Sequence, residues 1–290
     1  MCSSDLWTVT SAYLDRFVEH QRLPAEVEHA NESEDQVSYL RYMMQVGRRV
    51  AEMHIALAGN EAADNFRPDP VTADDIEIWI DDIRARADRV IAHLQKVRGA
   101  AKAHDRTLID RLTIQRDTID SRLRALAQDA GSVFKIRHHG DFHLGQMLIV
   151  KDDVFIIDFE GEPRRLLHER RRKAPAARDI AGLVRSIDYS ATAALERAQT
   201  IAPDEDGKLA TALLSWRDRS VSAFLGAYYE NMTDTRLWPT DTTAAERILN
   251  FFLLEKALYE IEYEIAHRPE WVRVPLAGTL RILSQTGETA

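Results

Sequence analysis

A single cysteine, Cys2, stands in this 290-residue chain, so no internal disulfide can form. That usage suits a reducing compartment, and a cytoplasmic protein is expected. No run approaches the roughly 18 apolar, uncharged residues that a membrane-crossing helix needs, so no membrane partner is expected. Met1 to Leu6 lacks a basic segment followed by an apolar stretch, so no signal peptide is read there. Glycine is also scarce at the start, with none before Gly47. Net positive charge is missing as well, the formal charge being −9. A general nucleic-acid binder draws its affinity from Lys and Arg against phosphates, so that class is set aside. A mononucleotide substrate is not, because metal ions and a few local donors manage its phosphates.

Hydrophobic residues make up 45% and charged residues 29%, the mix of a globular protein with a sizeable core. Most of the chain has helical periodicity. Leu6 to Val18 reads as a leading helix. Val37, Leu40, Met44, Gly47, Val50, His54 and Leu57 trace one face of a second. Ile76, Ile80, Ile83, Ala87, Val90 and Leu94 trace a third. Thr107–Ala127, Leu209–Tyr229 and Ala244–His267 continue the pattern, the last with Phe251, Leu254, Leu258, Ile261 and Ile265 inward. Strand character is confined to Val133–Ile136 and to two short runs, Met147–Val150 and Val154–Ile157. The runs are joined by Lys151-Asp152-Asp153 and read as a hairpin. Residues 58–72, 160–178, 202–207 and 231–243 carry the Gly, Pro and polar residues of loops. The expected fold is therefore mainly α with one small hairpin.

The chemistry is concentrated around that hairpin. His139-Gly140-Asp141-Phe142-His143-Leu144-Gly145-Gln146 precedes it, and Asp158-Phe159-Glu160 follows. Phosphoryl transfer needs one carboxylate to orient or accept a hydroxyl proton. It needs a second to hold magnesium against the phosphates, commonly completed by a neutral oxygen ligand. A hairpin folds its two ends together, so Gln146 and Asp158 should lie side by side, with Asp141 facing them. Asp141 taken alone also reads as a loop cap, and Asp158 as a turn residue at the hairpin end. His138, His139 and His143 do not have the spacing of a zinc site. Glu160 is either exposed or a support for the metal aspartate. Asp179 reads as a helix N-cap. Arg170 to Lys173 reads as a solvated run, or as a group that neutralises a phosphate. On the last long helix Glu255, Tyr259 and Glu262 fall on one stripe beside Tyr263 and Lys256. That stripe is either a sugar-pocket lining or a surface of salt links. Trp79 and Trp216 read as core or interface residues rather than sugar platforms.

The pattern His-x-Asp-x4-Gln, hairpin, Asp-Phe resembles the kinase-like aminoglycoside and choline phosphotransferases. With Gln at 146, Gly161-Glu162-Pro163, Arg178-Asp179-Ile180-Ala181-Gly182 and Arg268-Pro269-Glu270-Trp271, it resembles maltokinase more closely. The resemblance implies the C-terminal lobe of a kinase-like, aminoglycoside phosphotransferase-like fold. Residues 1–22 would be a hinge helix and 23–290 the lobe, with the catalytic loop at 138–160. It implies Asp141 as base, His139 as a brace for the loop, and Gln146 and Asp158 as magnesium ligands beside ATP. His143, Glu160, Glu255, Tyr259, Glu262 and Tyr263 are the candidate substrate contacts. The implied reaction is ATP-dependent phosphorylation of maltose to maltose 1-phosphate, feeding α-glucan and glycogen synthesis. Alternatives are another small-molecule kinase of that type, or a non-catalytic module associated with trehalose synthase. No N-terminal β-lobe with a phosphate-covering loop is legible, so the chain alone is expected to bind ATP poorly.

Overall fold

The computed structural model describes residues 4–22, 30–59, 65–128, 130–151, 153–162, 166–203, 207–233 and 235–285. In chain order, strand β1 (Ser4–Asp5) leads into α1 (Leu6–Gln21) and α2 (Ala30–Ala58). Strand β2 (Asp69–Pro70) precedes α3 (Ala73–Val97), α4 (Ala103–Ile114) and α5 (Arg116–Leu126). Next come β3 (Phe134–Lys135) and the hairpin β4 (Met147–Val150) and β5 (Asp153–Ile156). Helices α6 (Leu167–Arg170), α7 (Ala177–Ile201), α8 (Lys208–Met232), α9 (Thr242–His267) and α10 (Arg273–Gln285) complete the chain. No helix among the described residues is long and apolar enough to cross a membrane. The chain divides into two compact units. One holds residues 1–67, 136–173 and 182–235, and the other residues 68–135, 174–181 and 236–290.

In the first unit α2 lies along α8. The buried face of α2 is Tyr39, Met43, Val46, Val50, Ala51, Met53 and His54. The stripe read from the sequence is therefore displaced in its first half, and Val37 and Met44 are exposed. The physical reason is aromatic. Tyr39 stacks on Tyr13 at 4.6 Å and tilts against Trp216 at 5.5 Å, and its hydroxyl hydrogen-bonds Thr10 at 2.9 Å. That packing sets the rotation of the helix, outweighing the aliphatic pattern around it. Trp216 is fully buried, as expected of a core residue. Farther along, His54 Nδ1 meets the Tyr228 hydroxyl at 2.9 Å.

Gly47 lets the two helices approach. A Cβ there would lie 2.4 Å from the Phe224 carbonyl oxygen and 2.9 Å from the Tyr228 nitrogen. Both obstacles are backbone, so neither can rotate away. Gly47→Ala would ordinarily favour a helix by roughly 1 kcal/mol. Here it forces the helices apart, and we expect a net loss of about 2 kcal/mol in urea unfolding. A gain in stability would show that the helices slide at no cost.

The first unit's sheet has the order β1-β4-β5, all antiparallel. Two-residue β1 was not legible in the sequence, since it is too short to alternate. Asp5 closes it and caps α1, accepting from the Thr8 nitrogen at 2.8 Å. In the hairpin Val150 pairs with Asp153 and Met147 with Ile156. The second strand thus starts one residue earlier than its apolar run, with Asp153 inside the ladder. Lys151 takes a positive φ of 59° in the turn, and Asp152 lies outside the described residues.

In the second unit α3 and α5 pack on α9, while α4 packs on α10. Ile80, Ile83, Ala87, Val90 and Leu94 are buried on α3, as the periodicity predicts. Thr72 and Asp75 form a reciprocal capping box at its start, with bonds of 3.2 and 2.8 Å. The helix expected over Thr107–Ala127 is two helices. Gln115, with φ −81° and ψ 2°, interrupts them, so that Leu108, Ile109 and Leu112 and then Ile119, Leu123 and Leu126 all face inward. On α9 the buried face includes Phe251, Leu254, Leu258 and Ile261, widened by Phe252, Leu253 and Ala257.

Candidate active site

The loop at 139–146 and the hairpin ends form the candidate site, entirely within the first unit. The ladder continues past the strands, the Ile157 nitrogen donating to the Gln146 carbonyl at 3.0 Å. The chain then turns sharply at Asp158, whose φ is +64°. Aspartate tolerates this left-handed conformation better than most residues, though at some cost. The turn aims its carboxylate back across the hairpin, where Oδ2 accepts from Gln146 Nε2 at 3.1 Å. Gln146 and Asp158 are thus brought together, and Asp158 is exposed.

His139 ties the preceding loop to this end. It is 1% exposed and packs between Phe142 and Phe159, each 5.0 Å away. Its Nδ1 accepts from the Asp141 nitrogen at 3.4 Å, which places the ring proton on Nε2. Nε2 donates to the Ile157 carbonyl at 2.8 Å. One imidazole therefore links the backbone of Asp141 to the residue before Asp158. No described side chain pairs with the Asp141 carboxylate, and the residue is half-buried.

His143 turns inward on its own loop, its Nδ1 accepting from the Gly145 nitrogen at 3.1 Å. The Leu144 nitrogen donates to Ser186 Oγ on α7 at 3.2 Å. Gly182 on the same helix sits under the loop, where a Cβ would lie 2.6 Å from the Phe142 carbonyl oxygen. The loop is thus held from below by α7 and from the side by His139. In the sequence Gly182 stands within a motif, and nothing there gives it this supporting position.

The hairpin is anchored at its other end. Arg49 on α2 grips Asp153 with two bonds, of 2.8 and 2.6 Å, and Gln45 adds a third at 2.9 Å. Hydrogen bonds from Arg49, then Gln45, then the Val154 nitrogen hold the Asp153 carboxyl well below the ordinary carboxylate range. A depressed folded-state pKa means that the stabilisation is complete above the unfolded value and is lost as pH falls toward the folded one. Both side chains are about a third open to solvent, so screening limits the pair to about 1 kcal/mol. Asp153→Asn should therefore lower the urea midpoint at pH 7, and the gap to wild type should narrow, without closing, by about pH 2. Equal midpoints at both pH values would show that the anchor contributes nothing.

Glu255, Tyr259, Glu262 and Tyr263 belong to the second unit. Glu255 is paired with Arg178. Glu262 accepts from Arg89 at 2.9 Å and Arg86 at 3.2 Å. Burial alone would raise the Glu262 carboxyl, but the two guanidinium groups outweigh it and hold it below its ordinary value. Tyr259 carries Lys256 at 4.9 Å and Arg86 at 5.4 Å over its ring, and Tyr263 stacks on His267 at 4.7 Å. Glu160 is exposed and lies in the first unit, lining a cavity with Arg137, Phe159, Leu167, Arg170 and Arg171.

No family model matches the chain. Among curated proteins it is 30% identical over 231 residues to a glucosamine kinase of Streptacidiphilus jiangxiensis, covering 80% of this chain and 47% of that protein. It is 29% identical over 245 residues to a glucosamine kinase of Mycolicibacterium smegmatis, covering 84% of this chain and 54% of that protein. The chain thus spans about half the length of these relatives. A solved glucosamine kinase superposes with a TM-score of 0.74 at 24% identity, over 98% of this chain and 60% of the other. Another, in complex with glucosamine, ADP and inorganic phosphate, superposes with a TM-score of 0.73 at 24% identity, over 98% and 62%. The chain has the glucosamine kinase fold.

These comparisons correct the resemblance drawn from the motifs. Maltokinase is replaced by glucosamine kinase among the relatives, and the lobe of an aminoglycoside phosphotransferase-like fold by the fold of those solved structures. The maltose acceptor, the role in glucan synthesis and the association with trehalose synthase fall with the resemblance. The motifs that suggested it have the residue types expected of a hydroxyl-activating loop and a metal-holding hairpin. Such parts serve phosphoryl transfer to many acceptors and select none of them.

Proposed function

We propose that this chain acts in ATP-dependent phosphorylation of a sugar, with glucosamine or a closely similar amino sugar as acceptor. The observation that carries this reading is the meeting of Gln146 and Asp158 at the hairpin mouth, beside a loop that holds Asp141 through His139. The glucosamine kinases among its relatives supply the acceptor class.

The donor set fits magnesium. That ion takes one or two protein oxygens and keeps waters and substrate phosphates for the rest. With its amide nitrogen turned to Asp158 Oδ2, Gln146 has Oε1 left to offer, and Asp158 has Oδ1. When bound there, the ion would neutralise charge on the β- and γ-phosphates of ATP. Asp141 would orient the acceptor hydroxyl and take its proton as the oxygen attacks. His139 would act through the backbone, keeping Asp141 and Asp158 at a constant separation. Gly182 and Ser186 would keep the loop from sinking or lifting.

Acceptor choice tests the reading. The purified chain, given ATP and magnesium, should transfer phosphate to glucosamine at least about tenfold faster than to maltose, a gap of about 1.4 kcal/mol in transition-state binding. The ratio between acceptors is the measure, since it does not depend on the absolute rate. Equal rates, or no transfer to any sugar, would remove the proposal.

A further inference from the structure

Three arginines converge on one open cavity in the first unit, and the phosphoryl-transfer reading uses none of them. The cavity has a volume of about 220 Å³ and is lined by Arg137, Phe159, Glu160, Leu167, Arg170 and Arg171. Asp141, Gln146 and Asp158 do not line it. Arg137 and Arg171 lie close enough for their charges to oppose each other. Arg137 donates to the Arg171 carbonyl at 2.7 Å, which fixes the two guanidinium-bearing segments together. No described carboxylate pairs with Arg137 or Arg171. The Arg137 guanidinium is held below its ordinary value, first by burial and then by the charge of Arg171. Elsewhere in the molecule exposed arginines find acids, as Arg98 does with Asp110 and Arg197 with Asp15. Arg170 is seated by its stem, with Cβ 3.2 Å from where a Cβ on Gly161 would stand.

The remaining walls are as informative as the charges. Phe159 and Leu167 are 50% and 60% exposed, an apolar surface that a flat sugar face can cover. Glu160 adds one carboxylate able to meet a hydroxyl or an ammonium group. Guanidinium groups bind phosphate oxygens in paired, charge-assisted bonds. We infer that the cavity lined by Arg137, Phe159, Glu160, Leu167, Arg170 and Arg171 binds a phosphate monoester, of the class of a phosphorylated amino sugar. The phosphate sits on the arginines, the ring lies on Phe159 and Leu167, and the ammonium group faces Glu160. The choice of sugar rests on the sugar-kinase reading, whereas the phosphate pocket rests on the arginines alone. A phosphosugar held here, one residue along the chain from Asp158, gives the product a place to act back on the hairpin.

The test is binding by the whole chain, without ATP or magnesium, to inorganic phosphate, phosphorylated glucosamine and unphosphorylated glucosamine, followed by calorimetry. Inorganic phosphate should bind, phosphorylated glucosamine should bind more tightly, and glucosamine alone should not compete with phosphate. Arg171→Gln, an exposed change, should weaken phosphate binding by about tenfold, and so should Arg137→Gln. Arg172→Gln removes a neighbouring charge that does not line the cavity and should leave binding unchanged, as should Asp141→Asn. Glu160→Gln should reduce the preference for phosphorylated glucosamine over inorganic phosphate. Absence of phosphate binding in the wild type would overturn the inference, as would an equal loss in Arg172→Gln or full binding in both cavity variants. If phosphate binds as described but no sugar is phosphorylated, the kinase proposal fails and the anion pocket stands. If sugars are phosphorylated without phosphate binding, the reverse holds.

Discussion

Asp141→Asn is expected to slow phosphoryl transfer by about a thousandfold while leaving magnesium–nucleotide affinity within about twofold. The substitution keeps the shape of the side chain and removes its charge. No described group pairs with the Asp141 carboxylate, so its loss strands no partner, and folding stability should stay within about 0.5 kcal/mol. The backbone bond to His139 runs through the Asp141 nitrogen and survives the change. The Gln146–Asp158 pair is likewise untouched. In the proposed mechanism, what disappears is the group that would take the acceptor proton as the hydroxyl attacks, a contribution general bases make in the range of roughly a hundredfold to ten-thousandfold. Single-turnover transfer from labelled ATP, with nucleotide binding measured separately, divides the two effects. A variant that turned over at the wild-type rate would show that Asp141 is no base. A variant that lost nucleotide binding and turnover together would place Asp141 with the metal ligands.

Much of the site's geometry was legible because it is local. A short apolar run, a turn and a second short run form a hairpin, and a hairpin must bring its two ends together. Gln146 and Asp158 therefore converge without help from distant parts of the chain. The left-handed turn at Asp158 was not legible, since Asp is accepted there but does not demand it. Long-range support was hidden too. Arg49 reaches Asp153 across the sequence, and nothing in either segment advertises the other. Arg137 precedes the His138-His139 pair and looks like any surface arginine until Arg170 and Arg171 come up beside it.

Helix faces divided along the same line. On α3, aliphatic spacing predicts five of the buried residues, Ile80, Ile83, Ala87, Val90 and Leu94, although Ile76 is only half-buried and Ile91 joins the face. On α2, Tyr39 takes its place through contacts with Tyr13 and Trp216, and the helix rotates away from the aliphatic reading. The acceptor was the least legible feature. Acceptor choice in general depends on the shape of a pocket assembled from scattered residues, whereas the candidate transfer residues here fall in one compact motif. Charged side chains on the α9 stripe also have structural partners, Glu262 with Arg86 and Arg89 and Glu255 with Arg178, which no spacing rule reveals.

Asp158 allows a sharper experiment, because its backbone and its carboxylate can be separated. Its φ of +64° costs a residue with a Cβ roughly 1 kcal/mol, least for Asp and Asn. Asp158→Asn keeps that tolerance and a side-chain oxygen for Gln146, so stability should change by less than about 1 kcal/mol. Asp158→Gly relieves the strained turn but forfeits the bond from Gln146 and loosens the unfolded chain. These opposing terms are each about 1 kcal/mol and leave a net change near zero. If Asp158 is a turn residue only, both variants should therefore work normally. If it holds magnesium, both should fold and both should fail. The expected result is the second: affinity for magnesium–ATP falls by at least about tenfold in each variant, with turnover reduced by about a hundredfold or more. Magnesium dependence provides the internal control, since raising the ion should recover part of the Asn variant's binding and little of the Gly variant's. Normal magnesium–nucleotide binding in Asp158→Gly would end the metal assignment and leave the left-handed turn as a feature of hairpin geometry alone.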